Sequence, residues 1–340
     1  MHMADALLSP AVGITMCAAS AAAVVYSVAK IKKDDLCEKK VPIMGVMGAF
    51  VFAAQMINFP IPATGSSGHI GGGILLAAML GGFPSLLALS AVLIIQCLFF
   101  ADGGLLALGA NIFNMGVIPC LITYPLIFKP LVKRGLSVRR ITVASIVSVV
   151  VGLQLGAFGV VLQTQFSGIT ELPFSVFAAM MQPIHLAIGV IEGIITAAVL
   201  CFVYKMRPEI MESTLERKAI KSGVSMKKVL TIMVIITVLV GGVLAIFASS
   251  DPDGLEWAIG NVHEEELEAS GPVMEGSAAA QEATAFMPDY DFIDAGEDGS
   301  DAGTTVAGIV GGAITFALAG AAALVISRVK KKRKSGVASA

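Results

Sequence analysis

The first residues of the chain, Met1-His2-Met3, hold three nitrogens within one short chelate: the terminal amine, the amide nitrogen of His2 and His2 Nδ1. Wrapped around a divalent ion they close a five-membered and a six-membered ring. One in-plane position is left for a fourth donor. A nitrogen-rich square plane suits Ni(II) or Cu(II), and Co(II) can accept it. A residue as large as His at position two usually blocks removal of the initiator Met, so the amine is expected to be that of Met1. The competing expectation is a frayed terminus with no function. The rest of the chain decides between them.

The elements that must position such a chelate belong to a membrane protein. Hydrophobic residues make up 56% of the 340 and charged residues 14%, and mean hydropathy is +0.84. Soluble domains carry far more charge, and several uncharged runs here have bilayer-spanning length. The reading is an all-α polytopic protein with nine spans. The first runs over 11–29 and the second over 41–59. The apolar stretch 70–100 is divided at Gly81-Gly82-Phe83-Pro84 into a short third and a fourth, because Pro breaks helices and Gly weakens them. The fifth ends near Phe128 and the sixth near Phe166. Residues 173–182 read as interfacial, with Pro183 opening a seventh span to Tyr204. The eighth (229–248) and ninth (305–327) flank an acidic segment, 249–304.

Charge sets the orientation. Lys and Arg number five in 30–40, five in 129–140, seven in 205–228 and six in 328–334, which accounts for all 23. With nine spans these stretches fall on one face, and the positive-inside rule makes it cytoplasmic. The N-terminus, the loop before Ile70, the turn at Asp102 and segment 249–304 then lie outside, with the C-terminus inside. No basic n-region precedes the first apolar run, so a cleaved signal peptide, which would remove His2, is not expected. None of the five cysteines has CxxC spacing, and four lie in apolar runs, so neither a disulfide nor a thiolate metal site is expected. Net charge is −2, and no nucleic-acid partner is expected.

His69 lies in the external Gly/Pro/Ser loop 60–70 and can supply the fourth donor. Non-helical backbone near membrane depth is tolerated where it lines a protein cavity. The uncharged polar residues Asn58, Thr64, Ser67, Gln96, Asn111 and Asn114 are candidates to orient the ligating imidazoles or to bond between helices. His185 and Glu192 lie two turns apart on one helix face. An ion path is one reading, support of the metal site by His185 another, and a structural role a third. Asp5 and Asp102 are external carboxylates that can attract a cation or serve caps and turns. Residues 251–301 hold fifteen Asp and Glu, with His263-Glu264-Glu265-Glu266 among them, and no Lys or Arg. They read as a solvated acidic loop, partly disordered. Ala18 and Ala22, and Gly308 and Gly312, are small pairs at helical spacing that permit close helix contact.

Several motifs in order resemble the CbiM/NikM family: Met1-His2-Met3-Ala4-Asp5, the run Gln55 to Pro62 ending in Ser67-Gly68-His69, Asp102-Gly103-Gly104-Leu105 with 107–111, and His185-Leu186-Ala187-Ile188-Gly189 with Glu192-Gly193. The resemblance covers about residues 1–222. It implies the substrate-binding (S) component of an energy-coupling-factor importer for cobalt and nickel: a seven-span bundle with its N-terminus inserted into the core. Met1, His2 and His69 would hold the ion. Residues 223–340 resemble the two-span companion CbiN/NikN, fused to the same chain, with Pro252-Asp253-Gly254-Leu255-Glu256 as its PDGLE signature.

The chain has no GxxxxGK[ST] motif, so it is not its own P-loop ATPase, and it is read as a transport component rather than an enzyme. The resemblance implies a transmembrane coupling subunit (CbiQ/NikQ-like) and an ATPase subunit (CbiO/NikO-like) in a cell membrane. Co(II) or Ni(II) would be the cargo, with no permanent cofactor. Binding is expected to weaken below about pH 6, where His protonates. The alternatives are a secondary transporter or channel, an S component for a vitamin or another small substrate, and a non-transporting assembly or sensor protein. The 6% aromatic content and single Trp argue against a vitamin pocket.

Overall fold

In hydrocarbon a chain can satisfy its backbone N–H and C=O groups within one segment only as a helix, and the apolar runs of this chain are helical. The structure, a computed structural model, describes residues 1–31, 39–220, 225–263, 267, 270–293 and 301–337, with 301 and 330–337 as backbone only. Cys37, Glu264, Glu265, Glu266 and the expected division at 222/223 lie outside the described residues.

After a 3-10 turn at Asp5–Leu7, helix α1 (Pro10–Lys30) starts with Pro at its first position, where no backbone donor is needed. Helix α2 (Lys40–Gln55) follows, then a short antiparallel hairpin, β1 (Phe59–Ile61) and β2 (Ser66–Gly68). Helices α3 (Gly73–Leu80) and α4 (Gly82–Phe100) are separated at Gly81, whose φ of +91° only glycine adopts freely. Helix α5 (Leu108–Val132) contains Pro119 and Pro125. It absorbs the missing donors by widening into π-type turns over Phe113–Phe128. Helices α6 (Val138–Ser167) and α7 (Phe174–Met206) lie side by side. Gly193 backs onto the Ile146 main chain and Gly189 onto that of Val150, where a Cβ would stand 2.8 and 3.2 Å from the respective Cα atoms. Helix α7 runs unbroken from Phe174 through Pro183, so the stretch expected to be interfacial belongs to the same helix. Within it Phe177 and Met181 continue the buried face of the helix.

A short helix α8 (Pro208–Leu215) leads to α9 (Lys227–Gly242), α10 (Gly254–Gly260), α11 (Pro272–Glu282) and α12 (Asp301–Val337). Among the described residues, six helices are long and apolar enough to cross a membrane: α1, α4, α5, α6, α7 and α12. The other three expected spans are α2 and α9, each 16 residues, and α3, 8 residues. By helix length the expected nine is not reached.

Helix α2 is apolar all round, a pattern that requires cover on every side. Fourteen of its sixteen residues are buried, and α4, α9 and α12 pack against it. Gly45 and Gly48 receive Phe316, Thr315 and Ala319 of α12. Of the small pairs singled out in the sequence, Gly308 presses on the Gly241 main chain of α9 and Gly312 faces open space. Ala18 and Ala22 are exposed on the outer side of α1. A side chain at 308 must therefore push α12 from α9, an overpacking cost of about 1–3 kcal/mol. Gly308→Val is expected to lower the thermal midpoint of the purified protein, and Gly312→Val to leave it unchanged; melting curves of the two variants check this.

Candidate metal centre

The N-terminus is not frayed. Met3 is fully buried, its amide donates to Asn111 Oδ1 (2.8 Å), and its carbonyl accepts from Asn111 Nδ2 (3.2 Å) and the Gly104 amide (2.9 Å). Asp5 accepts from the Ala107 amide (2.9 Å) and the Ser277 hydroxyl (2.6 Å). Five residues of terminal chain are thus bonded down against the turn joining α4 to α5. Gly103 and Gly104 make this possible, since a Cβ on the first would meet Asn111 Nδ2 at 2.7 Å and on the second would strike Asp5.

The hairpin brings His69 to the same place. Its ring stacks on that of His2, with centroids 5.1 Å apart and planes 19° from parallel. His69 Nδ1 lies 3.1 Å from the Ile70 carbonyl, so Nδ1 carries the proton and Nε2 presents its lone pair. Nε2 lies 3.3 Å from the Met1 amine. That amine is also ion-paired with Asp253, in the loop after α9. His2 Nδ1 lies 3.1 Å from Asp102 Oδ1, and His2 Nε2 is buried without a hydrogen-bond partner. The Gln96 carboxamide lies beside it without reaching hydrogen-bond geometry. Chelation through Nδ1 requires the His2 ring to exchange Asp102 for the ion. Among the described residues no group of three or more His, Cys, Asp and Glu is arranged to hold a metal, so any site here draws on the amine and main chain.

Residues 2–210 match the CbiM family, described as the cobalt uptake substrate-specific transmembrane region. The chain belongs to this family. Residues 227–328 match the PDGLE domain. The chain is similar to the "Putative fused nickel transport protein NikMN" of Archaeoglobus fulgidus, at 31% identity over 320 residues, covering 94% of this chain and 96% of that one. It is 32% identical over 232 residues to the "Fused nickel transport protein NikMN" of Rhodobacter capsulatus, covering 62% of this chain and 64% of that one. A crystal structure of a transition metal transporter superposes with a TM-score of 0.54 at 30% identity, covering 62% of this chain and 95% of the other. His2 and His69 fall in the CbiM match and Asp253 in the PDGLE match, so the amine–Asp253 pair joins the two regions.

Of the candidates to orient the ligands, Asn111 grips the N-terminus through the Met3 backbone, and Asn114 Nδ2 reaches Met3 Sδ (3.8 Å). Ser67 and Thr64 instead tie the hairpin to the PDGLE segment: the Ser67 amide donates to the Pro252 carbonyl (2.8 Å), its hydroxyl to that of Asp251 (2.7 Å), and Trp257 Nε1 donates to the Thr64 carbonyl (2.9 Å). Asn58 accepts through its carbonyl from the Ser249 amide (2.7 Å). Asn114 pairs with Gln163 through both amide groups, at 2.8 and 3.0 Å. His185 lies at the Gly254 backbone, and Glu192 binds the Gly72 amide (2.9 Å).

The acidic segment differs most from expectation. Its described part is folded over the site, with Leu255, Ala258, Met274 and Met287 buried. Asp253 caps α10, accepting from the Leu255 and Glu256 amides (2.7 and 3.0 Å) while Glu256 returns a bond to the Asp253 amide. Gln281 donates to the Gly103 carbonyl (2.7 Å), and the Tyr290 hydroxyl to Asp102. Asp253, Gln281 and Tyr290 were hidden by an acidic composition. The D-x-x-E capping signature at 253–256 and the apolar residues among the acids were the available signals. Together these elements enclose an outer cavity of about 450 Å³ lined by His2, His69, Asp5, Asp102, Asp253, Glu256 and Asp289 among others, with no Lys or Arg.

Burial, and next the amine charge, push His2 and His69 down to about 3, well below the ordinary 6.5. Both rings stay neutral and ligand-ready through pH 5, so imidazole protonation does not set an acid limit near pH 6. Burial alone would raise the Asp253 carboxyl, but the Met1 amine beside it holds it well below the usual range. Burial raises Asp102, opposed by the Tyr290 hydrogen bond. The unfolded chain takes up protons at both imidazoles below pH 6.5 while the folded chain does not until about pH 3. Stability therefore falls with acid across that window, by about 1.4 kcal/mol per pH unit per histidine. Asp253 adds to stability above its ordinary pKa and loses that contribution only below it. The thermal midpoint of the metal-free protein is expected to drop between pH 7 and pH 5. The drop should be shallower in His2→Asn, as differential scanning at the two pH values reads directly.

Proposed function

We propose that this CbiM-family chain is the substrate-capture component of an ATP-driven energy-coupling-factor importer for Co(II) or Ni(II). The observation that carries the reading is the buried Met1 amine 3.3 Å from His69 Nε2, with the His2 ring stacked on His69, beside a cavity lined by carboxylates and free of Lys and Arg. The acidic cavity raises the local cation concentration. The ion takes the amine, the His2 amide nitrogen, His2 Nδ1 and His69 Nε2. It displaces protons from the first two and takes the place of Asp253 at the amine. A cation then replaces a cation beside the same carboxylates, which limits the electrostatic cost of loading.

The division into a metal-binding domain (1–222) and a two-span companion (223–340) fits this reading. So does an orientation with the site outside the cell and the basic loops in the cytoplasm, where they face a coupling subunit and an ATPase subunit that tilt the loaded component inward. The similarity to proteins named for nickel transport supports the metal class.

The chelate is tested by metal binding to the untagged protein. One Gly added before Met1, His2→Ala and His69→Ala are each expected to weaken Ni(II) or Co(II) binding by at least about a hundredfold, more than loss of a supporting hydrogen bond usually costs. His263→Ala should leave affinity unchanged. An extended protein that binds as tightly as the original refutes the chelate. Sustained uptake by the purified chain alone would instead favour a secondary transporter.

A further inference from the structure

A second cavity, of about 40 Å³, shares Met1 and His69 with the outer site and extends between α5, α6 and α7 as far as Glu192. A single water needs about 10–15 Å³, so the space admits a few waters or a partly hydrated ion. Two of its walls are ionisable and neither is used by the chelate. His185, 1% exposed, donates through Nδ1 to the Met181 carbonyl (2.8 Å), which leaves Nε2 as the lone-pair nitrogen, and that nitrogen is buried with no partner. His69 is fixed in the same tautomer by the same kind of carbonyl bond, an arrangement typical of ligating imidazole. Glu192, 3% exposed, accepts from the Gly72 amide (2.9 Å), and among the described residues no Lys or Arg pairs with it. Seven residues separate the two on α7, about 10 Å along the axis, so they line a path rather than one tight shell. The Glu192 carboxylate holds the Gly72 amide at the start of α3, but an imidazole nitrogen with no partner among the described residues is costly at this depth and calls for a ligand.

We infer that His185 and Glu192 form an inner station for the divalent transition metal, which receives the ion from the outer chelate once the loaded component has tilted inward. This rests on the capture reading above. His185 Nε2 supplies one nitrogen, Glu192 supplies the compensating charge, and waters complete the coordination. A borderline ion such as Co(II) accepts that mixed set. With fewer protein donors than the chelate, the station holds the ion loosely enough to release it.

The test uses the full-length untagged protein in nanodiscs, with Co(II) as probe, visible absorption and equilibrium dialysis as readouts, and excess Mg(II) to occupy oxygen-only sites on the acidic segment. With the outer chelate disabled by His2→Ala, one saturable Co(II) equivalent is expected to remain, at least a hundredfold weaker than in the wild type. Adding His185→Asn or Glu192→Gln should weaken it at least a further tenfold. Glu192→Gln keeps a carbonyl for the Gly72 amide, so this variant decides the matter if His185→Asn does not fold. No residual equivalent in His2→Ala, or one retained in the double variants, overturns the inner station and leaves the capture reading standing. Undiminished affinity in His2→Ala itself refutes the outer chelate, and the inner station is then read from the single His185 and Glu192 variants.

Discussion

A charged amine carried out of water has to be compensated, because an unpaired buried ion costs several kcal/mol. Here the chain's own first nitrogen is the buried ion. Met1 is 6% exposed and its amine meets Asp253 on one side and His69 on the other. Asp253 is itself held by the start of α10 and by the pairing of residues 251–253 with Ser67. The inserted terminus, the hairpin and the PDGLE segment therefore stand or fall together. Loosening any one exposes a charge that the other two were arranged to neutralise.

The same dependence runs through the helices. α2 has no polar face to give to solvent, and α9 and α12 of the PDGLE-matched region supply much of its cover. The C-terminal third of the chain thus contributes at two levels: the packing of a central helix and the electrostatics of the candidate site. In this chain the PDGLE-matched region is structural material for the CbiM region, as well as a neighbour of it.

How much of this was readable in advance follows from which forces leave a local trace. The meeting of His2 and His69 was legible because a nitrogen-rich terminus and an imidazole in a glycine-rich loop are written in residue types. Helix identity was legible for the same reason, down to the break at Gly81-Gly82. Asp253 was not, since its partner is an amine 252 residues away and its own surroundings are acidic. Ser67 and Thr64 were noticed for their hydroxyls, yet they bond to segment 249–257 rather than to imidazoles. Pro183 suggested a helix start, and tertiary packing of Phe177 and Met181 carried the helix through it. Titration of the histidines leaves no local trace, because burial, which shifts it, is a property of the assembled fold.

The single tryptophan has a consequence of its own. Trp257 sits on α10 with its indole N–H on the Thr64 carbonyl, part-buried where the PDGLE segment meets the hairpin that carries His69. Because no other indole exists in the chain, its ultraviolet emission is a report from that seam alone. The protein comes with a native optical gauge, sensitive to polarity and to a nearby paramagnetic ion, that needs no dye and no added label.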